Sequence, residues 1–327
     1  AMIISRTPFR ISLFVGGSEF PEFYKYHPGS TLSTTIDKYC YISLHYLLPF
    51  FNFKFRASYS KTEAVNQASD FKHPLIRECL LHLPVEQALE IAHVSDLPGR
   101  TGLGTSSSFT VGLLNALHAI RGENVSAEKL AQEAILIERE RVGDMGGHQD
   151  QYAAAYGGFL RVDYQGTGTR LNRLDFPTPR LAELKQYLQL FFMGTERTSA
   201  SILLDQKKRT KLNIGALKQM AEMAVQAQKI LESKSDLRQF GELLNEAWKL
   251  KKGLANGISN ETIDRIYEAA KSAGALGGKL LGAGGCGFIL LFVPPENQPK
   301  VCNQLKHLKE VSFSFSNEGS RIIFKDP

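Results

Sequence analysis

The apolar residues of this chain recur with two different periods, which alternate along its length. Stretches that alternate apolar and polar residues, or are rich in β-branched and aromatic residues, predict strands. An apolar stripe every three to four residues predicts a helix. The predicted strands are Ile3 to Arg6, Arg10 to Phe14, Thr31 to Leu48, Asn52 to Tyr59, Leu89 to Val94, Phe159 to Tyr164, Leu188 to Met193, Phe288 to Val293, Val311 to Phe315 and Arg321 to Phe324. The predicted helices are Pro74 to Leu83, Phe109 to Ile120, Ser126 to about Arg141, a short helix opened by Asp150, a region from Thr198 to Leu231, Asp236 to Lys252, Glu261 to Ala273 and Asn297 to Lys309.

This mixed order of strands and helices predicts an α/β (α+β) fold, and 327 residues suffice for two domains. Pro177 and Pro179 lie in the linker between the sixth and seventh predicted strands. Proline clusters of this kind are typical of connections between structural units. We therefore predict a first domain over residues 1–180 and a second over residues 181–327.

The charge of the chain adds a constraint on its ligands. Lysine and arginine number 39 against 33 acidic residues, for a net charge of +6. The cations are scattered, and the one dense cluster, Lys207-Lys208-Arg209 with Lys211, is typical of a solvated helix face. This pattern predicts phosphate-bearing small molecules as ligands and no nucleic acid.

Cysteine usage and hydropathy predict a cytoplasmic protein with no membrane partner. The four cysteines, Cys40, Cys79, Cys286 and Cys302, show no CxxC spacing and are too few to staple a chain of this length. The longest apolar run, residues 288–293, is too short to span a bilayer. The sequence does not indicate the oligomeric state, and a homodimer is one of the assemblies left open.

A glycine-rich stretch, Leu97 to Ser108, lies between a predicted strand and a predicted helix. Its glycines, Gly99, Gly102 and Gly104, adopt positive φ readily and let backbone amides approach a ligand. The N-terminus of the following helix favours an anion, commonly phosphate. From these residues alone, a tight turn with a good N-cap remains an alternative. The Walker A pattern is absent from the sequence.

A second glycine-rich stretch, Gly282-Ala283-Gly284-Gly285-Cys286-Gly287, satisfies the pattern Gly-x-Gly-x-x-Gly. The dinucleotide fingerprint requires a strand before this pattern and a helix after it. Here the pattern precedes a predicted strand instead. We therefore exclude a Rossmann-type dinucleotide site.

Three motifs together carry a family resemblance. They are Arg6-Thr7-Pro8-Phe9-Arg10-Ile11-Ser12 with Gly16-Gly17-Ser18-Glu19-Phe20-Pro21, the order Pro-x-x-x-Gly-Leu-Gly-Thr-Ser-Ser from Pro98, and Gly277 to Gly287. In this order they resemble the three signatures of the GHMP kinases, the superfamily of galactokinase, homoserine kinase and mevalonate kinase. The resemblance implies a ribosomal-protein-S5-like N-terminal domain and a ferredoxin-like α+β C-terminal domain.

The same resemblance implies ATP and Mg²⁺ as cofactors and assigns site residues at matching positions. The implied nucleotide-binding residues are Pro98, Gly99, Gly102, Leu103, Gly104, Thr105, Ser106, Ser107, Gly284 and Gly285. The implied substrate-binding residues are Gly17, Ser18, Glu19, Gly147, Gln149, Arg197 and Gly282. The implied metal ligands are Ser106 and Glu138, and the implied catalytic residues are Asp150 and Arg10.

Phosphoryl transfer explains why these residue types are needed. The metal neutralises charge between phosphates, and Mg²⁺ takes only one or two oxygen ligands from protein. The resemblance implies that Asp150 accepts the proton of the attacking hydroxyl, or orients that hydroxyl, while Arg10 lowers the pKa of the hydroxyl. The residues alone also allow Asp150 to be a helix N-cap and Glu138 to be a surface ion pair with Arg139 or Arg141.

Within the superfamily, the form Arg-x-Pro-x-Arg-Ile-Ser resembles the sugar 1-kinase branch, which includes heptose 7-phosphate kinases and fucokinases. The chain departs from that form at Ser18 and Glu19, where threonine and aspartate are usual. The resemblance implies phosphorylation of C1 of D-glycero-D-manno-heptose 7-phosphate, with Arg197 binding the distal phosphate. Unphosphorylated fucose or galactose remains an alternative acceptor. A ligand-sensing regulator without catalysis is a further alternative.

Overall fold

The computed structural model describes residues 1–195 and 199–326. The strands are β1 (Met2–Phe14), β2 (Gly29–Tyr46), β3 (Phe55–Ser58), β4 (Thr62–Val65), β5 (Leu89–Ser95), β6 (Phe159–Gln165), β7 (Gly168–Leu174), β8 (Leu188–Phe192), β9 (Gly277–Leu280), β10 (Phe288–Phe292), β11 (Lys309–Glu310), β12 (Phe315–Ser316) and β13 (Arg321–Lys325). The α-helices are α1 (Pro21–Tyr24), α2 (Pro74–His82), α3 (Thr105–Ile120), α4 (Ala127–Ile135), α5 (Gln149–Tyr156), α6 (Thr178–Tyr187), α7 (Ser199–Lys208), α8 (Ile214–Glu232), α9 (Arg238–Lys252), α10 (Glu261–Ser272) and α11 (Gln298–Gln304).

The larger sheet is built on the antiparallel pair β1 and β2. Its strand order is β13-β1-β2-β5-β3-β4, with β12 and β6 also on β2 and with β7 on β6. The 18 residues of β2 leave room for three partners besides β1, because residues 29–34 pair with β6, residues 35–36 with β12 and residues 40–46 with β5. Helix α3 packs across β1 and β2. The start of α3 therefore lies over the middle of β1.

Strand β1 passes through Pro8, where the sequence predicted a break between two short strands. The register with β2 shifts between Pro8 and Arg10. A proline has no N–H to donate to the ladder, and such an irregularity accommodates it within a strand. The continuous strand fixes Arg10 and Ser12 as neighbours on one face of the sheet.

The smaller sheet, from the second half of the chain, has the antiparallel order β11-β8-β10-β9. All five residues of β10 are buried. Helix α9 packs on β9, and α8 packs against β1 and β2. The second half of the chain therefore covers one part of the larger sheet, and a cavity lies where the two halves meet. Among the described helices, none is long and apolar enough to cross a membrane.

Two elements occur where the sequence predicted only a linker. Strand β7 pairs with β6, and α6 begins at Thr178 with Pro179 in its first turn, a position that tolerates the missing N–H. The predicted domain boundary at residue 180 remains a prediction. The pairing of β12 with β2 and of β13 with β1 shows, however, that the last part of the chain returns to the sheet of the first half.

Candidate active site

A cavity of about 310 Å³ lies where β1, the loop before α3, the start of α5 and the end of α9 meet. Ten residues predicted from sequence line it: Arg10, Glu19, Gly102, Gly104, Thr105, Ser106, Gly147, Gln149, Asp150 and Gly282. The rest of its lining consists of Ser12, Val15, Phe20, Arg100, Arg139, Asp144, Gly146, Leu203, Lys251 and Ala283. The cavity thus brings together residues from all three motifs.

An ion pair between Arg10 and Asp150 occupies the middle of this lining. The Nε of Arg10 donates to Oδ1 of Asp150 at 2.6 Å, and Nη2 donates to Oδ2 at 3.2 Å. The third nitrogen, Nη1, donates to the Gly102 carbonyl at 2.6 Å. A planar guanidinium that engages both carboxylate oxygens fixes their orientation. Asp150 keeps about a quarter of its side chain exposed, so the carboxylate remains open to a ligand.

Gly104 caps the N-terminus of α3 in the left-handed conformation, with φ of 69°. A Cβ at this position would lie 3.1 Å from Cγ of Arg10 and 3.5 Å from Cγ of Asp150. Only glycine combines that conformation with so close an approach to the ion pair. Because the first amides of a helix have no intrahelical acceptor, the 16-residue α3 directs free N–H groups toward the cavity. The loop therefore suits a phosphate, as the sequence predicted.

Glu138 lies behind Ser106 and is buried, with a side-chain exposure of 1%. Its Oε2 accepts hydrogen bonds from the hydroxyls of Ser107 at 3.2 Å and Ser106 at 3.4 Å. Its Oε1 is buried without a hydrogen-bond partner. Burial raises the pKa of Glu138 to about 7, although Arg139 opposes this shift. The ion pair with Arg139 that the residues alone allowed is present, at 3.8 Å from Nη1 of Arg139 to Oε2, but it is buried and does not lie at the surface.

These oxygen atoms fit a small divalent cation. The partnerless Glu138 Oε1 and the exposed Ser106 hydroxyl supply two oxygen ligands, the kind and number that Mg²⁺ takes from protein when phosphates and water complete its shell. The described residues contain no cluster of three or more His, Cys, Asp or Glu side chains that could hold a metal alone. A metal bound here would depend on a phosphate ligand as well.

The predicted substrate-binding residues form another part of the cavity wall. Oε2 of Glu19 accepts the Gly17 amide at 2.7 Å, and the side chain is buried. A Cβ at Gly147 would lie 2.4 Å from Cγ of Glu19, so the missing side chain at 147 makes room for the longer carboxylate. Oε1 of Gln149 is buried and partnerless, and it is available to a polar ligand.

The structure does not bring every predicted residue to the cavity. The Ser18 hydroxyl donates to the carbonyl of Ser30 and accepts from its amide. Its hydrogen bonds are therefore made within the protein and not to a ligand. Leu103 is fully buried, and its carbonyl accepts the Arg10 amide. Gly17, Pro98, Gly99, Ser107, Glu138, Gly284 and Gly285 also lie outside the cavity lining. Arg197 lies outside the described residues, so its predicted role remains a prediction.

Sequence reasoning missed several charged residues of the site. Arg139 donates to the Gly147 carbonyl and pairs with Asp144 at 3.3 Å, which ties the end of α4 to the loop before α5. Arg100 has a φ of 58°, unusual for a residue with a Cβ. Lys251 reaches the cavity from the last turn of α9. A π-helical turn, Leu136–Arg141, continues α4, and such turns are frequent at functional sites.

Phosphoryl transfer requires a phosphate-binding site, a carboxylate beside the attacking hydroxyl and oxygen ligands for a metal. The start of α3, Asp150, and Ser106 with Glu138 match these requirements. Residues 71–158 match the family described as GHMP kinases N terminal domain, and residues 223–309 match GHMP kinases C terminal. Together these matches span more than half of the chain, which belongs to the GHMP kinases and is a phosphotransferase. The predicted family, class of enzyme and two-domain GHMP kinase fold are thus confirmed.

Among its relatives, the chain is 29% identical to D-glycero-alpha-D-manno-heptose 7-phosphate kinase of Campylobacter jejuni, over 97% of both chains. It is 30% identical to the bifunctional fucokinase/GDP-fucose pyrophosphorylase of Arabidopsis thaliana, over 66% of this chain and 21% of that longer protein. The crystal structure of a D-glycero-D-manno-heptose 1-phosphate kinase from Bacteroides thetaiotaomicron matches with a TM-score of 0.80 and 24% identity, over 99% of this chain and all of that one. This last likeness supports the fold.

Proposed function

We propose that the chain transfers the γ-phosphoryl group of ATP to the anomeric C1 hydroxyl of a sugar, with D-glycero-D-manno-heptose 7-phosphate as the acceptor. The observation that carries this proposal is the position of the Asp150 carboxylate. Nε and Nη2 of Arg10 hold it in the cavity that the start of α3 also lines. A hydroxyl that lies between Asp150 and the start of α3 has a proton acceptor on one side and a phosphate-binding helix terminus on the other.

The chain's own residues have separate tasks in this reaction. Asp150 accepts the hydrogen of the C1 hydroxyl, so that its oxygen forms a bond to the γ-phosphorus while the bond to the ADP oxygen breaks. Arg10 fixes the carboxylate and adds a positive charge beside the attacking oxygen. The amides at the start of α3 hold the phosphates through the transfer.

Ser106 and Glu138 would hold Mg²⁺ together with the phosphates of the nucleotide. When bound, Mg²⁺ supplies neutralisation of phosphate charge. Ser107 fixes the Glu138 carboxylate by its hydrogen bond to Oε2 and thereby keeps the partnerless Oε1 in place.

The acceptor is the finer part of the proposal. The relative from Campylobacter jejuni, named a heptose 7-phosphate kinase, matches along nearly the whole chain and supports a heptose phosphate. The fucokinase likeness supports an unphosphorylated sugar as the alternative. Glu19, Gln149 and Gly147 would contact sugar hydroxyls, and Arg197 is proposed to bind the distal phosphate. A cytoplasmic location and a homodimer remain predictions.

Turnover of Mg·ATP with a panel of acceptors tests the proposal. The panel contains heptose 7-phosphate, mannose 6-phosphate, fucose, galactose and mevalonate, and phosphorus NMR locates the new phosphate. We expect an anomeric phosphate on heptose 7-phosphate. A new phosphate only on fucose or galactose would retain the kinase and replace the acceptor. No product from any acceptor would favour the non-catalytic regulator.

A further inference from the structure

Two buried lysines, Lys251 and Lys279, lie near one another, and Lys251 also lines the cavity. Lys251, in the last turn of α9, is 7% exposed, and its Nζ donates to Oε1 of Gln206 at 3.0 Å and to the Gly16 carbonyl at 3.4 Å. Lys279, in β9, is equally buried and donates to the Ser12 hydroxyl at 3.2 Å and the Val15 carbonyl at 3.5 Å. Both ammonium groups thus lie against the segment that follows Arg10 in β1.

Neither ammonium group has a carboxylate within ion-pair distance among the described residues. All the partners named above are neutral oxygen atoms. Desolvation lowers the pKa of Lys251 to about 8 and lowers the pKa of Lys279 well below its usual value, while Glu19 opposes both shifts from a greater distance. Buried cations in proteins are normally paired, so an anionic ligand close to these two groups would complete their surroundings.

The lysines lie at a defined distance from the chemistry. Ser12, which Lys279 contacts, follows Arg10 by two residues on the same face of β1, about 7 Å along the strand. Lys251 lies further on, at Gly16, and it lines the cavity directly. Asp150 and Lys251 line the same cavity, so one ligand can contact both.

We propose that Lys251 binds the distal phosphate of a phosphorylated sugar acceptor, independently of the role predicted for Arg197, with Lys279 adding positive charge from behind it. This inference rests on the proposed function, because it supposes a sugar whose C1 hydroxyl lies at Asp150. An acceptor anchored in this way presents the end opposite its phosphate to the nucleotide. The site therefore selects sugar phosphates over the corresponding free sugars.

The test compares Lys251→Met with wild type and with Lys249→Met. Lys249 lies on the same helix, is 60% exposed and pairs only with Glu246, so its variant is a matched control. We expect Lys251→Met to raise the KM for heptose 7-phosphate by about 30-fold or more, since a charge-assisted hydrogen bond is lost. The KM in Lys249→Met should stay within about twofold of wild type.

A second measurement isolates the phosphate. The same heptose without its phosphate is assayed as a competitive inhibitor, and its Ki should change less than about threefold in Lys251→Met. An equal rise in KM and Ki, or an unchanged KM, would overturn the assignment. Lys251→Gln removes the charge but keeps a donor for the Gly16 carbonyl, and it replaces the methionine variant if thermal unfolding shows that variant to be destabilised. If the wild-type protein turns over none of the sugars, the proposed function is overturned together with this inference.

Discussion

Replacement of Asp150 by asparagine separates the chemistry of the site from its stability. The variant keeps the size of the side chain and removes its negative charge. General base or acid catalysis contributes about 10²- to 10⁴-fold to a rate. We therefore expect kcat to fall by about 10³-fold if Asp150 accepts the hydroxyl proton, while nucleotide binding is largely retained.

The same substitution should lower the free energy of unfolding only slightly, and the hydrogen bonds of Asp150 give the size of this loss. Arg10 donates to both oxygens of Asp150, at 2.6 and 3.2 Å, and an asparagine amide can accept only one of these bonds. A hydrogen bond to a charged group contributes about 1.5 to 3 kcal/mol. Because 23% of the Asp150 side chain is exposed to water, we expect a loss of about 1 kcal/mol. For 327 residues this corresponds to a fall in Tm of about 1.5 °C.

The assay measures ADP release, nucleotide affinity by calorimetry and thermal unfolding on the same preparations. Asp163→Asn is the matched control, because Asp163 pairs with Arg161 at 3.1 Å outside the cavity lining. It should lose comparable stability and little activity. Turnover by Asp150→Asn within about tenfold of wild type would remove Asp150 from the proton transfer.

Three further perturbations test other parts of the site and the fold. Glu138→Gln should raise the Mg²⁺ concentration for half-maximal activity by about 10- to 100-fold, and an unchanged titration would exclude Glu138 as a ligand. Gly147→Ala places a Cβ 2.4 Å from Cγ of Glu19, so the KM for the acceptor should rise about tenfold while that for ATP stays constant; a rise in both would contradict the placement of Glu19. Although burial lowers the pKa of His118, the hydrogen bonds that its ring donates to Glu133 and Glu123 outweigh burial and raise that pKa. Wild type should therefore lose stability as the pH rises through the folded-state pKa of His118, and Glu133→Gln should lose less, whereas parallel curves of Tm against pH would refute this reasoning.

The sequence predicted the local pieces of the site because its motifs act over short distances. Gly104 ends a loop and begins a helix, and both tasks depend on its own φ and on the residues beside it. Ser106 and Asp150 were assigned from motifs of the same kind, and both line the cavity. Ser18 was assigned in the same way, yet its hydroxyl binds the Ser30 backbone because the fold brings β2 beside it.

Lys251 could not be found in this way. In the sequence it is one lysine in a helix that ends with several, and its neighbours Lys249 and Lys252 are more exposed. Its burial and its contact with Gly16 arise from the packing of α9 beside β1, across a sequence separation of 235 residues. Glu138 likewise reads as a surface residue at the start of the charged run Glu138-Arg139-Glu140-Arg141 until its burial behind Ser106 is known.

The sequence by itself carried the family resemblance in its three motifs. It also determined the order of most strands and helices and the glycine-rich loop before α3, because periodicity, glycine conformation and helix termini are properties of neighbouring residues. The tertiary structure alone decided which charges are buried and what they face. It paired Arg10 with Asp150 across 140 residues, left Oε1 of Glu138 without a partner among the described residues, and buried Lys251 and Lys279 against neutral oxygen atoms. Burial and pairing depend on segments distant in sequence, since the free energy of a charge is set by everything that surrounds it in space.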